Sequence, residues 1–423
     1  MTVERFSISN DGTVEAFKLS NKESTLIAQV STFGARLTHL WVQDKDGNMI
    51  DVLMGFNTHE DLIHSIQNVD DPYIGAVIGR ISGSVLPSDN VRLNGTNYKL
   101  NVNVPRNGAS HHGGNFGFDK KNWSGEIVSG DLASVKLTYL SKNNEENYPG
   151  SLLITLIYTV TDTNEIKLEY HGELVDEDLD NIDFKNCVEG AVEVNETALS
   201  LTNHAYFNLT GFKESTVHDH YCSFVSNNYL LADMKTLVVN GTCINDYSES
   251  KTDSDRKNLD QQHQLPEKDS LYDSSFDEIM DFSSKPKKIG EGINSPLLAS
   301  FKGYDHVYTT LETKKNHSKH ELAATNNSCP IYKIQHVASV WSETSGIRMN
   351  VLSDEPSIVF YTGNWISNDL VGKNNTQYGK QCALSIECQR YNNAVNIDKW
   401  REQVILKRGQ VYSQNTIYQF TKI

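Results

Sequence analysis

Between Leu152 and Tyr170 the chain spells out a hairpin. An apolar, partly β-branched run, Leu152–Val160, is followed by the polar loop Asp162-Thr163-Asn164 and a return arm in which Ile166, Leu168 and Tyr170 alternate with Lys167 and Glu169. A period of two sends alternate side chains to opposite faces, so this arm buries one face and wets the other. A loop so short joins antiparallel neighbours. The pattern recurs along the sequence. Val135, Leu137 and Tyr139 alternate with Lys136 and Thr138. The stretch Ser24–Val42 is rich in β-branched and apolar residues and is broken by Gly34, where two strands are expected to meet at a turn. Val404-Ile405-Leu406 and Val411–Phe420 flank Lys407-Arg408-Gly409 and predict a closing hairpin. Long amphipathic helical stretches are missing, and an all-β, sandwich-like architecture follows.

The length of 423 residues fits several ordinary domains, but large β-sandwiches exceed the usual size as single domains. Two polar stretches interrupt the strands. From Asp246 to about Ser300 the sequence turns polar, and Ser248–Gln264 has almost no large apolar residue besides Leu259. Such a stretch buries too little surface to offset its ordering entropy. A shorter patch runs from Lys314 to Ser328. Both are expected as loop-like or disordered insertions, at about 246–300 and about 314–328, within one domain spanning 1–423. A docking role for Leu271–Phe276 rests on composition alone.

Lys and Arg total 38 against 54 Asp and Glu, a formal charge of −16. That balance argues against nucleic-acid or anionic-membrane partners, which need clustered cations. No apolar run approaches the roughly 20 residues of a membrane span, and Met1–Asn10 carries no apolar signal core, so a cytoplasmic protein is expected. The 6 cysteines show no C-x-x-C spacing and read as free thiols.

Two segments carry chemistry. Glu387 follows Ala383-Leu384-Ser385-Ile386, a run without charge, so its strand should be half buried. A carboxylate there is either a reagent or the partner of a buried cation. In Leu201–Leu209, His204 sits among short polar and aromatic residues. One carboxylate and one imidazole make an acid/base pair.

Further motifs occur in order along the chain: Gly75-Ala-Val-Ile-Gly-Arg80, His112-Gly-Gly114 with Gly117-Phe-Asp-Lys120 and Trp123, Thr202-Asn-His-Ala-Tyr-Phe-Asn208, Gly303-Tyr-Asp-His306, Phe360-Tyr-Thr-Gly-Asn364, and the Glu387 segment. With them the chain resembles the galactose mutarotase, or aldose 1-epimerase, family, particularly its yeast-type members, nearly from end to end. The resemblance implies a large twisted antiparallel β-sandwich, galactose mutarotase-like, that interconverts the anomers of a free aldose. No cofactor is implied, because two opposed proton-transfer groups suffice.

In the family pattern the glutamate matching Glu387 takes the O1 proton and the histidine matching His204 protonates the ring oxygen. A raised Glu387 pKa would suit that exchange. His112 matches a histidine that contacts the sugar, though it could instead cap the Gly113-Gly114 turn. Asp305 matches an aspartate that accepts from sugar hydroxyls, with an Asx turn as the alternative. His111 reads as an ordinary exposed residue, Arg80 as structural, and Tyr206 and Trp123 as core aromatics.

Three departures stand out. The family's Gly-Arg-x-x-Asn-Arg-Ile is Gly79-Arg-Ile-Ser-Gly-Ser-Val85 here, so a sugar-contacting Asn-Arg pair becomes Gly83-Ser84. A glutamine often found before Phe360 is Val359, and Gly-Thr-x-x-Asp ends in Asn245. Two competing classes remain: a sugar-binding or sensor protein with impaired turnover, and a glycosidase, which needs two carboxylates. The preferred aldose and the oligomeric state are left open.

Overall fold

The computed structural model describes residues 1–176, 194–244, 278–310 and 332–423. All strand pairings that build its sheets are antiparallel. The expected hairpin forms from Ser151–Val160 and Glu165–Val175, with Val160 opposite Ile166. At its turn Asn164 adopts φ +56°. The Asn164 side chain accepts from Asn21 Nδ2 at 2.9 Å and Thr25 Oγ1 at 2.6 Å, which ties this turn to the N-terminal strands.

These two strands belong to a nine-stranded sheet. Its order is Ser124–Val128, Ala133–Ser141, the hairpin, Tyr412–Lys422, Ile347–Ser353, Gln335–Ser342, Tyr221–Phe224 and Lys287–Lys288. A five-stranded sheet built from Thr2–Asp51 packs on its first strands. Phe17, Leu26, Ala28 and Val30 from one layer meet Val135, Leu137, Ile154 and Leu156 from the other in one buried core. Alternation decides which side chains enter: Val135 and Leu137 are buried, while Lys136 and Thr138, which follow each of them, are only partly so. The molecule is therefore all-β, a large antiparallel sandwich.

Three sequence expectations need correction. The C-terminal strands do not pair with each other: Ile405–Lys407 joins Glu196–Ala198, while Tyr412–Lys422 enters the large sheet. The turn at Gly409 (φ +80°), with Arg408 N–H bonded to Asn195 O, steers the chain from one sheet to the other. Residues 278–300, assigned to the polar insertion, are packed: Met280, Phe282, Ile289, Ile293 and Leu298 lie in the core. The remainder of that stretch and the patch 314–328 lie outside the described residues, as does Leu271–Phe276. Finally, a ten-residue helix occupies His59–Asn68, opened by a Thr58–Asp61 capping box. Among the described residues no helix is long and apolar enough to cross a membrane. Cys222, Cys382 and Cys388 are free thiols; Cys187 and Cys329 lie outside the described residues.

Short strands at one side of the sandwich hold the polar motifs. They are β1 (Ser84–Val85), β2 (Ser110–His111), β3 (Thr202–Asn203), β4 (Asp305–Thr309), β5 (Ser357–Tyr361) and β6 (Ser385–Gln389). β1 pairs with β2, and β4, β5 and β6 form a three-stranded sheet in that order.

Candidate active site

Register explains how residues far apart in sequence meet. Beyond β3, Phe207 forms an antiparallel bridge with Leu384, just before β6, through N–H···O bonds of 2.7 and 2.9 Å. Counting three residues back from Phe207 and three forward from Leu384 sets His204 opposite Glu387. The His204 Nε2 and Glu387 Oε1 atoms are 3.6 Å apart, and both side chains are almost fully buried, at 6% and 4% exposure. On the three-stranded sheet Glu387 lies beside Val359, and Asp305 beside Tyr361. Alternation then gives Glu387, Val359, Tyr361 and Asp305 the same face.

That face forms one wall of a cavity of about 270 Å³, which His204, His112, His111, Tyr206, Arg106 and Trp365 also line. The size sits near the lower end of the usual range for small-ligand pockets, roughly 300–1,000 Å³. Glu387, His204, His112 and Asp305, singled out in the sequence, are thus brought together around one space.

The two readings of Glu387 now separate. Glu355, the other glutamate buried on a neighbouring segment, pairs with Arg390 at 3.0 Å. Glu387 pairs with no Lys or Arg among the described residues, and β6 is buried at every position, not half buried. Burial pushes its carboxyl well above the usual range, and the Asp305 charge acts in the same direction.

The His204 backbone is fixed by N–H···O bonds to Ala76 (2.8 Å) and from Gly75 (2.9 Å). Its ring stacks on Tyr206 at 4.8 Å and on Tyr73 at 6.0 Å. Burial takes its imidazole down to about 3. Its Nδ1 is buried without a hydrogen-bond partner.

His112, at φ +51°, accepts from the Gly83 N–H through Nδ1 at 3.1 Å, which leaves the proton on Nε2. It does not cap the glycine turn, whose Gly114 N–H bonds to His111 O at 3.0 Å. Asp305 forms no Asx turn: it begins β4, and its carboxyl accepts no hydrogen bond among the described residues. Burial raises that carboxyl to about 7, against the opposing Arg106 charge.

Several lining residues were missed or misread from sequence. His111 is no ordinary exposed residue: it lines the cavity, its ring lies 3.7 Å from that of His112, and its Nδ1 is 2.9 Å from Ser84 Oγ. Tyr206 is a core aromatic and a cavity wall at once, whereas Trp123 packs only in the core, against Phe118 and Tyr139. Arg80 is structural, its guanidinium bonded to Ser141, Thr197 and the carbonyls of Lys142, Pro149 and Gly150.

Tyr73, Arg106 and Trp365 gave no warning in the sequence. Tyr73 follows the segment anchored by the helix His59–Asn68, in which Ser65 Oγ holds Asp70 O at 2.8 Å. Its ring meets His112 edge-on at 4.7 Å. Gln389, two residues beyond Glu387 on the same face of β6, also lines the cavity, and its Oε1 is buried without a partner.

The architecture is that of the galactose mutarotase-like β-sandwiches. The galactose 1-epimerase of Lactobacillus acidophilus superimposes with a TM-score of 0.69 over 100% of this chain and 99% of that one, at 18% identity. The aldose 1-epimerase family model matches residues 15–180 and 182–419, and the chain belongs to that family. It is similar to human galactose mutarotase, 28% identical over 98% of this chain and 96% of that protein. It is also similar to the aldose 1-epimerase of Escherichia coli K12, 24% identical over 99% of each.

Proposed function

We propose that this protein is an aldose 1-epimerase that interconverts the α and β anomers of free hexoses such as galactose and glucose. The observation that carries this reading is the buried Glu387–His204 pair, 3.6 Å apart in a small cavity, with no Lys or Arg among the described residues paired to the carboxyl. Family membership supports a mutarotase-type reaction.

In the mechanism the one proton the pair shares starts on His204: Glu387, as the carboxylate, removes the proton from the anomeric hydroxyl O1 while His204, as the imidazolium, delivers its proton to the ring oxygen O5. The C1–O5 bond breaks, C1 becomes an aldehyde, and the pair is left as a neutral carboxylic acid and a neutral imidazole. Rotation about C1–C2 presents the other carbonyl face. His204 then takes the proton back from O5 as O5 attacks C1, and Glu387 returns its proton to O1. Atoms and protons balance, and the pair ends as it began.

Burial disfavours charge on both groups. The neutral pair it favours is the proton arrangement that follows ring opening, so burial pulls the proton transfers in that direction. Asp305 accepts from sugar hydroxyls, and His112 donates through Nε2. On this reading the chain is one cytoplasmic domain with two polar insertions, acting on small-molecule aldoses.

Polarimetry of freshly dissolved α-D-galactose and α-D-glucose tests it. The wild type should accelerate mutarotation, and Glu387→Gln and His204→Asn should each lose about 10²–10⁴-fold of that acceleration. A wild type no faster than buffer that still binds sugar would make this a sugar-binding protein instead.

A further inference from the structure

The wall of the cavity formed by β1 and β2 carries Gly83 and Ser84, whose side chains reach little. Two neighbours compensate. A Cβ on Gly83 would meet the Asn392 carboxamide at 2.6–2.7 Å, so Asn392 occupies the space a side chain at 83 would fill. The second neighbour is Arg106, on the turn that leads into β2 and lining the same cavity.

That turn is pinned on both sides of Arg106. Before it, Asn103 Nδ2 donates to the carbonyls of His111 and Gly114 at 2.8 Å each, and Asn103 Oδ1 accepts from His111 N–H at 2.7 Å. After it, Asn107 Nδ2 donates to Thr236 O at 2.8 Å, and Ser88 Oγ to Gly108 O at 2.8 Å. The guanidinium lies 5.3 Å from the ring centre of Trp365, which also lines the cavity and is 39% exposed. Among the described residues Arg106 makes no hydrogen bond or ion pair, so its donors are free for a ligand.

We propose that Arg106 is the sugar-contacting guanidinium of this cavity, donating to hydroxyl oxygens of an aldose opposite the acceptor Asp305, with Asn392 seated where Gly83 leaves room. The guanidinium absent from position 84 is thereby supplied from the adjoining turn. The chemistry fits: a planar fork of donors and an acceptor carboxylate lining one cavity can together hold neighbouring hydroxyls. The Arg106 charge also restrains the rise of the Asp305 carboxyl, which keeps that group an acceptor nearer neutral pH.

This inference rests on the aldose reading of the site, and calorimetric titration with D-galactose separates the two. Arg106→Ala should weaken binding about 10- to 100-fold, the effect of losing a charged hydrogen bond, and raise KM more than it lowers kcat. Arg106→Lys should fall in between. Ser84→Arg placed in the Arg106→Ala background should recover part of the affinity, which a merely structural role for Arg106 would not allow.

An Arg106→Ala protein that binds galactose within twofold of wild type overturns the proposal, as does a loss matched by a lowered melting temperature and unrelieved by Ser84→Arg. A wild type that binds galactose but does not accelerate mutarotation removes the isomerase reading alone, and the affinity comparison still judges Arg106.

Discussion

A buried carboxyl with no cation beside it costs stability, and Glu387, which pairs with no Lys or Arg among the described residues, carries that cost on the cavity wall. Its folded pKa lies above its unfolded value, so the folded state holds a proton that the unfolded state releases, and stability falls as pH rises through that interval. Glu387→Gln keeps the shape and removes the titration. It should abolish measurable catalysis while raising the unfolding midpoint at pH 8 by about 2 °C, a gain that a purely structural anion would not give. Asp305 predicts a different signature. With its carboxyl near 7, kcat/KM should decline below pH 7 as it gains a proton and stops accepting from hydroxyls. Asp305→Asn should flatten that limb at a lower overall rate, as a pH series of polarimetric rates would show. Glu387 and His204 were legible because each stands in a segment whose composition is odd for a plain strand. His111 and Tyr73 were not, because what brings them to the cavity is the β1–β2 pairing and the backbone turn at Tyr73, neither of which leaves a local mark.

At the scale of elements, the segment Tyr73–Ala76 links fold and site. Gly75 has φ +68°, and a Cβ there would run into the Leu37 carbonyl of the five-stranded sheet. The same residue donates to His204 O, while Leu37 N–H donates to Gly75 O at 2.9 Å. Gly75→Ala should therefore destabilise the protein by about 2–4 kcal/mol and lower kcat by displacing His204, to be checked by urea unfolding alongside polarimetry. Strands were readable where alternation is strict, as in Glu165–Val175, or where an apolar run leads into a short polar loop, as in Ser151–Val160. The partner of Ile405–Lys407 was not, since pairing with Glu196–Ala198 is set by distant geometry. The helix His59–Asn68 was missed although Thr58 and Asp61 announce its start, because its ten residues offer only three apolar positions, Leu62, Ile63 and Ile66.

For the whole molecule, buried histidines govern acid stability. His39 and His111 are brought to about 4, His204, His220 and His306 to about 3, and His112 well below its ordinary value, all chiefly by burial. Each is neutral when folded and gains a proton on unfolding below about 6.5. Stability they contribute is thus complete above that pH and is lost as pH falls toward 4. The raised carboxyls of Asp70, Asp119, Asp305, Asp354, Glu355 and Glu387 act in the opposite sense but are fewer than the eight lowered histidines, which include His59 and His336. Denaturant midpoints should drop between pH 7 and pH 5, and His220→Gln should lessen the drop without touching the cavity. The large sheet holds one more consequence. Among the described residues Tyr412–Lys422 is the seam between its two portions, and Gln419 reaches a partner 254 positions away in sequence. Until that strand docks, each portion ends in an open edge able to recruit another chain. Refolding should therefore be slow, with aggregation as its competitor, and its yield should fall steeply as protein concentration rises.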